Sequence, residues 1–264
     1  MPNANINGCN IYYEVHGEGE PLVMIMGLRR NIEWWYCQLQ TLSKYFKIIV
    51  FDNRGAGRSD KPKSEYSIRL FADDTAALMN ELGINKAHIL GFSMGGYIAQ
   101  ELAINYPEKV KKLALVSTSS GGKQAVLMSE DRMKKFTAND GLTPEKILQK
   151  DMNIYFSDDY IEKNPKTIQT FTEISMLHYQ PDHAFQRQFA ACLNHDTSDR
   201  IHNISCPVLI TTGDDDPLVP PKNSSILKEL LPEAVLSIFP GGRHCFMIEN
   251  PELFNKEILS FFKS

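Results

Sequence analysis

The sequence predicts an α/β protein whose mostly parallel sheet is covered by helices on both faces, with one helical segment inserted into it. Three observations carry this reading. Short apolar, β-prone runs alternate along the chain with longer stretches at helical spacing. Several of those runs are apolar throughout, as strands buried on both faces are. One long stretch, 119–200, then breaks the alternation.

Strands are expected at 12–15, 22–26, 48–51, 87–90, 113–117, 208–212 and 235–239. Leu22-Val23-Met24-Ile25-Met26, Ile48-Ile49-Val50-Phe51 and Leu113-Ala114-Leu115-Val116 are the plainest of them. Between the strands, apolar residues return at helical spacing over 34–45, 68–82, 97–105, 223–231 and 251–262. Gly17, Gly19 and Pro21 read as the turn of an early hairpin. The stretch 119–200 is polar and helix-prone, dotted with Met128, Met133, Phe136, Met152, Tyr155, Phe156, Phe171 and Met176. It reads as a helical cap inserted into a core formed by 1–118 and 201–264. Internal repeats and low-complexity tracts are absent from the sequence.

Composition narrows the function. A chain of 264 residues that is 42% hydrophobic buries a substantial core. A formal charge of −4 gives no footprint for nucleic acid or an anionic membrane, so neither is expected as a partner. Met1-Pro2-Asn3-Ala4-Asn5 does not open a basic, then apolar, leader, and no run approaches the roughly 18 apolar residues of a spanning helix. A cytoplasmic protein is expected. Cys9, Cys37, Cys192, Cys206 and Cys245 are odd in number, scattered and never in a C-x-x-C pair, which points to reduced thiols. His178, His183, His195 and His202 lack ligand spacing, so no metal is expected. His88, inside a strand, reads as a core histidine.

The chemistry begins at Gly91-Phe92-Ser93-Met94-Gly95. This stretch lies where the strand 87–90 gives way to a helical pattern, and a sharp strand-to-helix turn strains a serine backbone while lifting its hydroxyl out of the sheet. The helix that follows aims its first N–H groups at the same place and favours negative charge there. Chance occurrence in a glycine-rich turn is the plain alternative; partners for Ser93 decide between them. Residues just past the carboxyl ends of parallel strands share one edge. Two loops reach it: Gly213-Asp214-Asp215-Asp216-Pro217 and Pro240-Gly241-Gly242-Arg243-His244. A histidine there takes the serine proton and returns it to a leaving group, and a carboxylate on its other nitrogen orients it.

At these residues the sequence resembles the α/β-hydrolase superfamily across nearly all of the chain outside the cap. The matching stretches are Met26-Gly27-Leu28, Asp52-Asn53-Arg54-Gly55-Ala56-Gly57-Arg58-Ser59, Gly91 to Gly96, Gly213 to Pro220, and Gly241-Gly242-Arg243-His244 followed by Glu249-Asn250-Pro251. The resemblance implies an α/β-hydrolase fold and a triad of Ser93, Asp216 and His244. The family's Gly-x-x-Asp spacing selects Asp216, Asp215 being the alternative. It also implies an oxyanion hole from the backbone amides of Leu28 and Met94. Met26 stands where many relatives carry histidine, a change that a backbone donor tolerates.

Other residues admit two readings. Arg29 and Arg30 are either solvated loop cations or, for Arg29, a ligand for an anionic substrate. Arg54 reads as an ion-pair brace for its loop. Trp34 and Trp35 are packing, with Trp35 a candidate for the pocket wall beside Phe92, Met128, Phe136 and Tyr155; the cap residues are otherwise only its own small core.

The expected activity is that of a cofactor-independent serine hydrolase acting on a small carboxylic ester or lactone. Serine at 93, where related haloalkane dehalogenases and epoxide hydrolases carry aspartate, disfavours those reactions. The subgroup of 3-oxoadipate enol-lactonase, cofactor-free haloperoxidases and carboxylesterases is the most similar in appearance, through Asp52 to Ser59 and Asn194 to Arg200. Carbon-carbon bond hydrolases, thioesterases and perhydrolases share the same skeleton. A ligand receptor derived from a hydrolase is the non-enzymatic alternative, separable by its slow turnover.

Overall fold

The structure, a computed structural model, describes residues 2–264. Its sheet contains β1 (Asn3–Ile6), β2 (Cys9–His16), β3 (Glu20–Ile25), β4 (Phe46–Phe51), β5 (Ala87–Phe92), β6 (Val110–Val116), β7 (Val208–Gly213) and β8 (Val235–Phe239). They lie in the order β1-β2-β4-β3-β5-β6-β7-β8. The first two pairings, β1 with β2 and β2 with β4, are antiparallel, and the rest are parallel. Helices α1 (Tyr36–Leu42), α2 (Ile68–Glu81) and α3 (Met94–Asn105) connect the early strands. Between β6 and β7 lie α4 (Glu130–Thr137), α5 (Pro144–Tyr155), α6 (Asp158–Lys163), α7 (Pro165–Met176) and α8 (Asp182–Leu193). The chain ends with α9 (Lys222–Leu230), α10 (Phe246–Glu249) and α11 (Pro251–Lys263).

Side chains alternate along each strand, which splits the core into two layers. In β3, Val23 and Ile25 join Phe71, Met79, Ile98 and Leu102 on the face covered by α2 and α3. Leu22 and Met24 point the other way, to Trp34, Phe254 and Ile258. The buried arginine expected to brace its loop does so: Arg54 grips Asp74 through two contacts of 2.8 and 2.9 Å, both side chains buried. Removing one partner of such a pair costs about 3–5 kcal/mol, so the loop is firmly set.

The hairpin expected at 17–21 is not formed. β2 and β3 both pair with β4, one antiparallel and one parallel, so this segment passes the start of β4 instead of folding β2 onto β3. The hairpin lies one element earlier, at Asn7-Gly8 between β1 and β2. Asn7 (φ 49°) and Gly8 (φ 72°) are both left-handed, as a tight two-residue hairpin turn demands. The helix expected over 34–45 is also different. It is a 3-10 turn, Ile32–Trp35, capped by the Asn31 side chain, followed by the shorter α1.

The helices between β6 and β7 are locally encoded. Ser129, Thr143 and Ser157 each accept a hydrogen bond from the amide three residues on, the N-cap arrangement. Pro144 and Pro165 open α5 and α7, where a missing N–H costs nothing. α8 is tied to the core through Gln188, which accepts from the Arg29 amide at 3.0 Å and donates to the Arg54 carbonyl at 2.9 Å.

Candidate active site

Strand register sets the site. Ile25 pairs with Gly91, Phe92 with Val116, and Gly213 with Phe239, so β3, β5, β6, β7 and β8 end along one edge. Leu28, Ser93, Asp216 and His244 follow those ends.

Ser93 occupies the single residue between β5 and α3, with φ 56° and ψ −120°. That left-handed backbone costs a non-glycine residue about 1–3 kcal/mol. The surroundings enforce it. Its amide donates to the Val116 carbonyl at 2.8 Å, and its carbonyl accepts from Gly96 N–H at 2.8 Å and Thr118 Oγ1 at 2.9 Å. α3 packs so tightly over β3 that a Cβ on Gly95 would lie 2.1 Å from the Ile25 carbonyl oxygen, and only glycine fits.

His244 Nδ1 lies 2.7 Å from Asp216 Oδ2, with both side chains buried. A carboxylate only accepts, so the imidazole donates from Nδ1 and keeps Nε2 to receive a proton. The other carboxylate oxygen, Oδ1, accepts from the amides of Leu218 (2.8 Å) and Val219 (3.0 Å), which fixes the plane of the group. The Phe92 ring supports the imidazole at 4.8 Å between centroids. The neighbouring aspartates are differently employed: Asp214 accepts from the Gly241 amide, and the exposed Asp215 pairs with Arg243 at 3.0 Å.

Ser93 and His244 open into one cavity of about 440 Å³, which Leu28 and Met94 also line. Met94 begins α3, and its amide is one of the free N–H groups of a helix start. Among the described residues, neither the Leu28 nor the Met94 amide donates to a protein acceptor. An anionic oxygen held between them would be stabilised by both.

Of the remaining side chains expected at the pocket, Phe92, Met128, Phe136 and Tyr155 line it. Arg29 and Trp35 do not. Arg29 has φ 70°, which turns its side chain into α8, where the guanidinium stacks over the Phe185 ring at 3.9 Å. Arg30 faces the cavity instead and is buried. In the 3-10 turn, successive side chains diverge by a third of a turn. Trp34 therefore reaches the cavity while Trp35 is wholly buried beside Phe92. Tyr97 and His195, whose rings stack at 4.4 Å, also line the cavity and escaped the sequence reading. Tyr97 lies one helical turn after Ser93, a spacing that could have flagged it. His195 had no such signal. Among the described residues, no group of three or more His, Cys, Asp or Glu side chains is placed to hold a metal ion, and no helix is long and apolar enough to cross a membrane.

A family profile for the alpha/beta hydrolase fold matches residues 20–251. The chain belongs to the α/β-hydrolase family. This family member is 27% identical over 261 residues to the protein named "Putative carbamate hydrolase RutD" from Azorhizobium caulinodans, covering 99% of this chain and 98% of that protein. Its fold is similar to that of the enol-lactonase from Burkholderia xenovorans LB400, with a TM-score of 0.88, 23% identity and all of both chains covered. It is also similar to Est816, described as an N-acyl homoserine lactone degrading enzyme, with a TM-score of 0.87, 27% identity, and coverage of 98% of this chain and 100% of that one. The enol-lactonase, at its lower identity, speaks for the fold alone.

Proposed function

We propose that this α/β hydrolase cleaves a carboxylic ester or lactone through an acyl-enzyme on Ser93. His244, held by Asp216 and opening with the strained Ser93 into one cavity, carries the reading. Ser93 Oγ attacks the acyl carbon as His244 Nε2 takes its proton. The tetrahedral oxyanion rests on the Leu28 and Met94 amides. When it collapses, the bond to the alcohol oxygen breaks and His244 delivers the proton to that leaving oxygen. Water then attacks the acyl-enzyme by the same route, and Ser93 is released with its proton restored. Asp216 holds the imidazole and stabilises its cationic form. The segment 119–200 acts as a cap in this reading, since its Met128, Phe136 and Tyr155 line the cavity into which Ser93 opens.

The carbamate hydrolase name of the Azorhizobium relative supports a second reading, in which the attacked carbonyl belongs to a carbamate. The same groups serve both reactions. A panel of esters, lactones and carbamates, assayed with wild type and Ser93→Ala, separates them. Turnover of esters or lactones that vanishes in Ser93→Ala, with a serine-directed phosphonate bound covalently at Ser93, is expected. Undiminished turnover in Ser93→Ala, or labelling elsewhere, overturns the mechanism.

A further inference from the structure

Arg30 is a cation on the wall of this cavity, and among the described residues no carboxylate lies within ion-pair distance of it. It is only 8% exposed. Its guanidinium lies 4.2 Å over the Trp34 ring, and Nη2 donates to the Tyr155 hydroxyl at 2.6 Å. These contacts fix the plane of the group without supplying an ion pair. Burial pushes the Tyr155 phenol up from its ordinary value, so it stays neutral and is no counter-ion. The carboxylates of the region have other partners: Asp216 has His244, Asp215 has Arg243, and Asp151 lies 3.4 Å from Lys150. Asp151, one turn before Tyr155 on α5, is the carboxyl that feels both Arg29 and Arg30. Burial raises its pKa, an effect that the Lys150, Arg29 and Arg30 cations oppose.

A buried cation without an ion-pair partner is costly to keep, with the apolar Phe92, Phe136 and Phe189 lining the same cavity. The single carboxylate among the lining residues, Asp196, accepts from the amide and hydroxyl of Ser198 instead. Because Tyr155 accepts from Arg30, its own O–H remains to donate. Guanidinium and phenol thus form a rigid donor set that suits the two oxygens of a carboxylate. The set is tied to the catalytic loop, for the Tyr155 carbonyl accepts from the Cys245 amide at 3.1 Å, next to His244.

We propose that Arg30, with Tyr155, binds a carboxylate carried by the substrate. The substrates are then esters or lactones that bear an acid group besides the bond that is cleaved. This rests on the hydrolase reading above, and the test keeps the two apart.

The first measurement is kcat/KM for a p-nitrophenyl hemiester of glutaric acid and for the uncharged p-nitrophenyl pentanoate, in wild type, Arg30→Gln, Arg30→Lys and Tyr155→Phe. Wild type should prefer the acid ester. Arg30→Gln should penalise it about ten- to a hundredfold more than the neutral ester, the range expected for a lost charge-assisted contact. Arg30→Lys should recover part of that loss, because it keeps the charge without the fork. Tyr155→Phe, which preserves the ring, should lower the same preference if Arg30→Gln does not fold. No preference in wild type, or equal losses on both esters, overturns the proposal. The second measurement needs no turnover: glutarate is titrated while tryptophan emission is followed, since Trp34 lies against the guanidinium. Wild type and Ser93→Ala should respond and saturate, and Arg30→Gln should not. Such a response without hydrolysis of any ester would sink the hydrolase reading alone. Hydrolysis through Ser93 with no response and no charge preference would sink the carboxylate site alone.

Discussion

Asp216 and His244 meet at 2.7 Å from loops that follow neighbouring parallel strands, β7 and β8, so sheet register rather than chain proximity joins them. Asp214 and Asp215 share the loop and not the contact. Asp216→Ala should therefore lower kcat by about 10³ to 10⁴ through loss of imidazole orientation. Asp215→Ala removes only a screened ion pair to Arg243, and Asp214→Ala only a loop contact, so both should stay within about tenfold of wild type, or 1.4 kcal/mol. Steady-state kinetics of the three variants on one ester decides the matter. A loss confined to Asp215→Ala would transfer the role to that residue.

Gly95 positions Ser93 from the helix side. A methyl group there collides with the Ile25 backbone carbonyl at 2.1 Å, and no side-chain rotation relieves it, so α3 must lift from β3. Overpacking of this kind costs about 1–3 kcal/mol. The start of α3 carries both Ser93 and the Met94 amide, so the shift should reach the chemistry. Gly95→Ala should lower the thermal midpoint and reduce kcat at least tenfold while still folding. A folded variant with wild-type kcat would show that the close approach serves packing alone.

The parallel sheet and the edge that gathers Ser93, Asp216 and His244 were legible because the central strands are continuously apolar and the chemistry sits directly after them. β1 is not legible in the same way: Asn3-Ala4-Asn5-Ile6 is too polar to read as a strand without its Asn7-Gly8 turn, and the glycines of 17–21 give the stronger turn signal. The pocket wall was less legible, for a geometric reason. Arg29 and Arg30 are adjacent, as are Trp34 and Trp35, and which of each pair faces the cavity depends on the left-handed φ of Arg29 and on a 3-10 turn. Composition carries no trace of either. His195 reaches the wall through the loop after α8, where no periodicity exists to place it.

Arg29 is expected to be dispensable where Arg30 is not. Its Nη1 is buried without a hydrogen-bond partner, a cost of about 1–3 kcal/mol. Stacking on Phe185 returns about 0.5–2 kcal/mol. The two nearly cancel, and its amide contact to Gln188 does not depend on the side chain. Arg29→Met should leave stability within about 1 kcal/mol of wild type and leave the charge preference of the enzyme intact. Urea unfolding and the paired ester assay test both halves. If the acid-ester preference disappears in Arg29→Met, the cation that matters is Arg29.

His195 should make the protein acid-sensitive. It is 5% exposed, its Nε2 has no hydrogen-bond partner, and burial lowers its pKa from 6.5 to about 4. The unfolded chain takes up this proton as pH falls through about 6.5, whereas the folded chain resists it until about 4. Across that window the unfolded state holds more protons, so stability falls as pH falls and recovers as pH rises. Between pH 7 and pH 5 the loss from this one group is about 2 kcal/mol. His195→Phe keeps a ring to stack on Tyr97 and has no proton to take up. Its urea midpoint should therefore drop less than that of wild type over the same pH change. A residual slope is expected from His88, whose pKa burial also lowers. If wild type and His195→Phe lose stability in parallel between pH 7 and pH 5, the buried imidazole is not the group responsible.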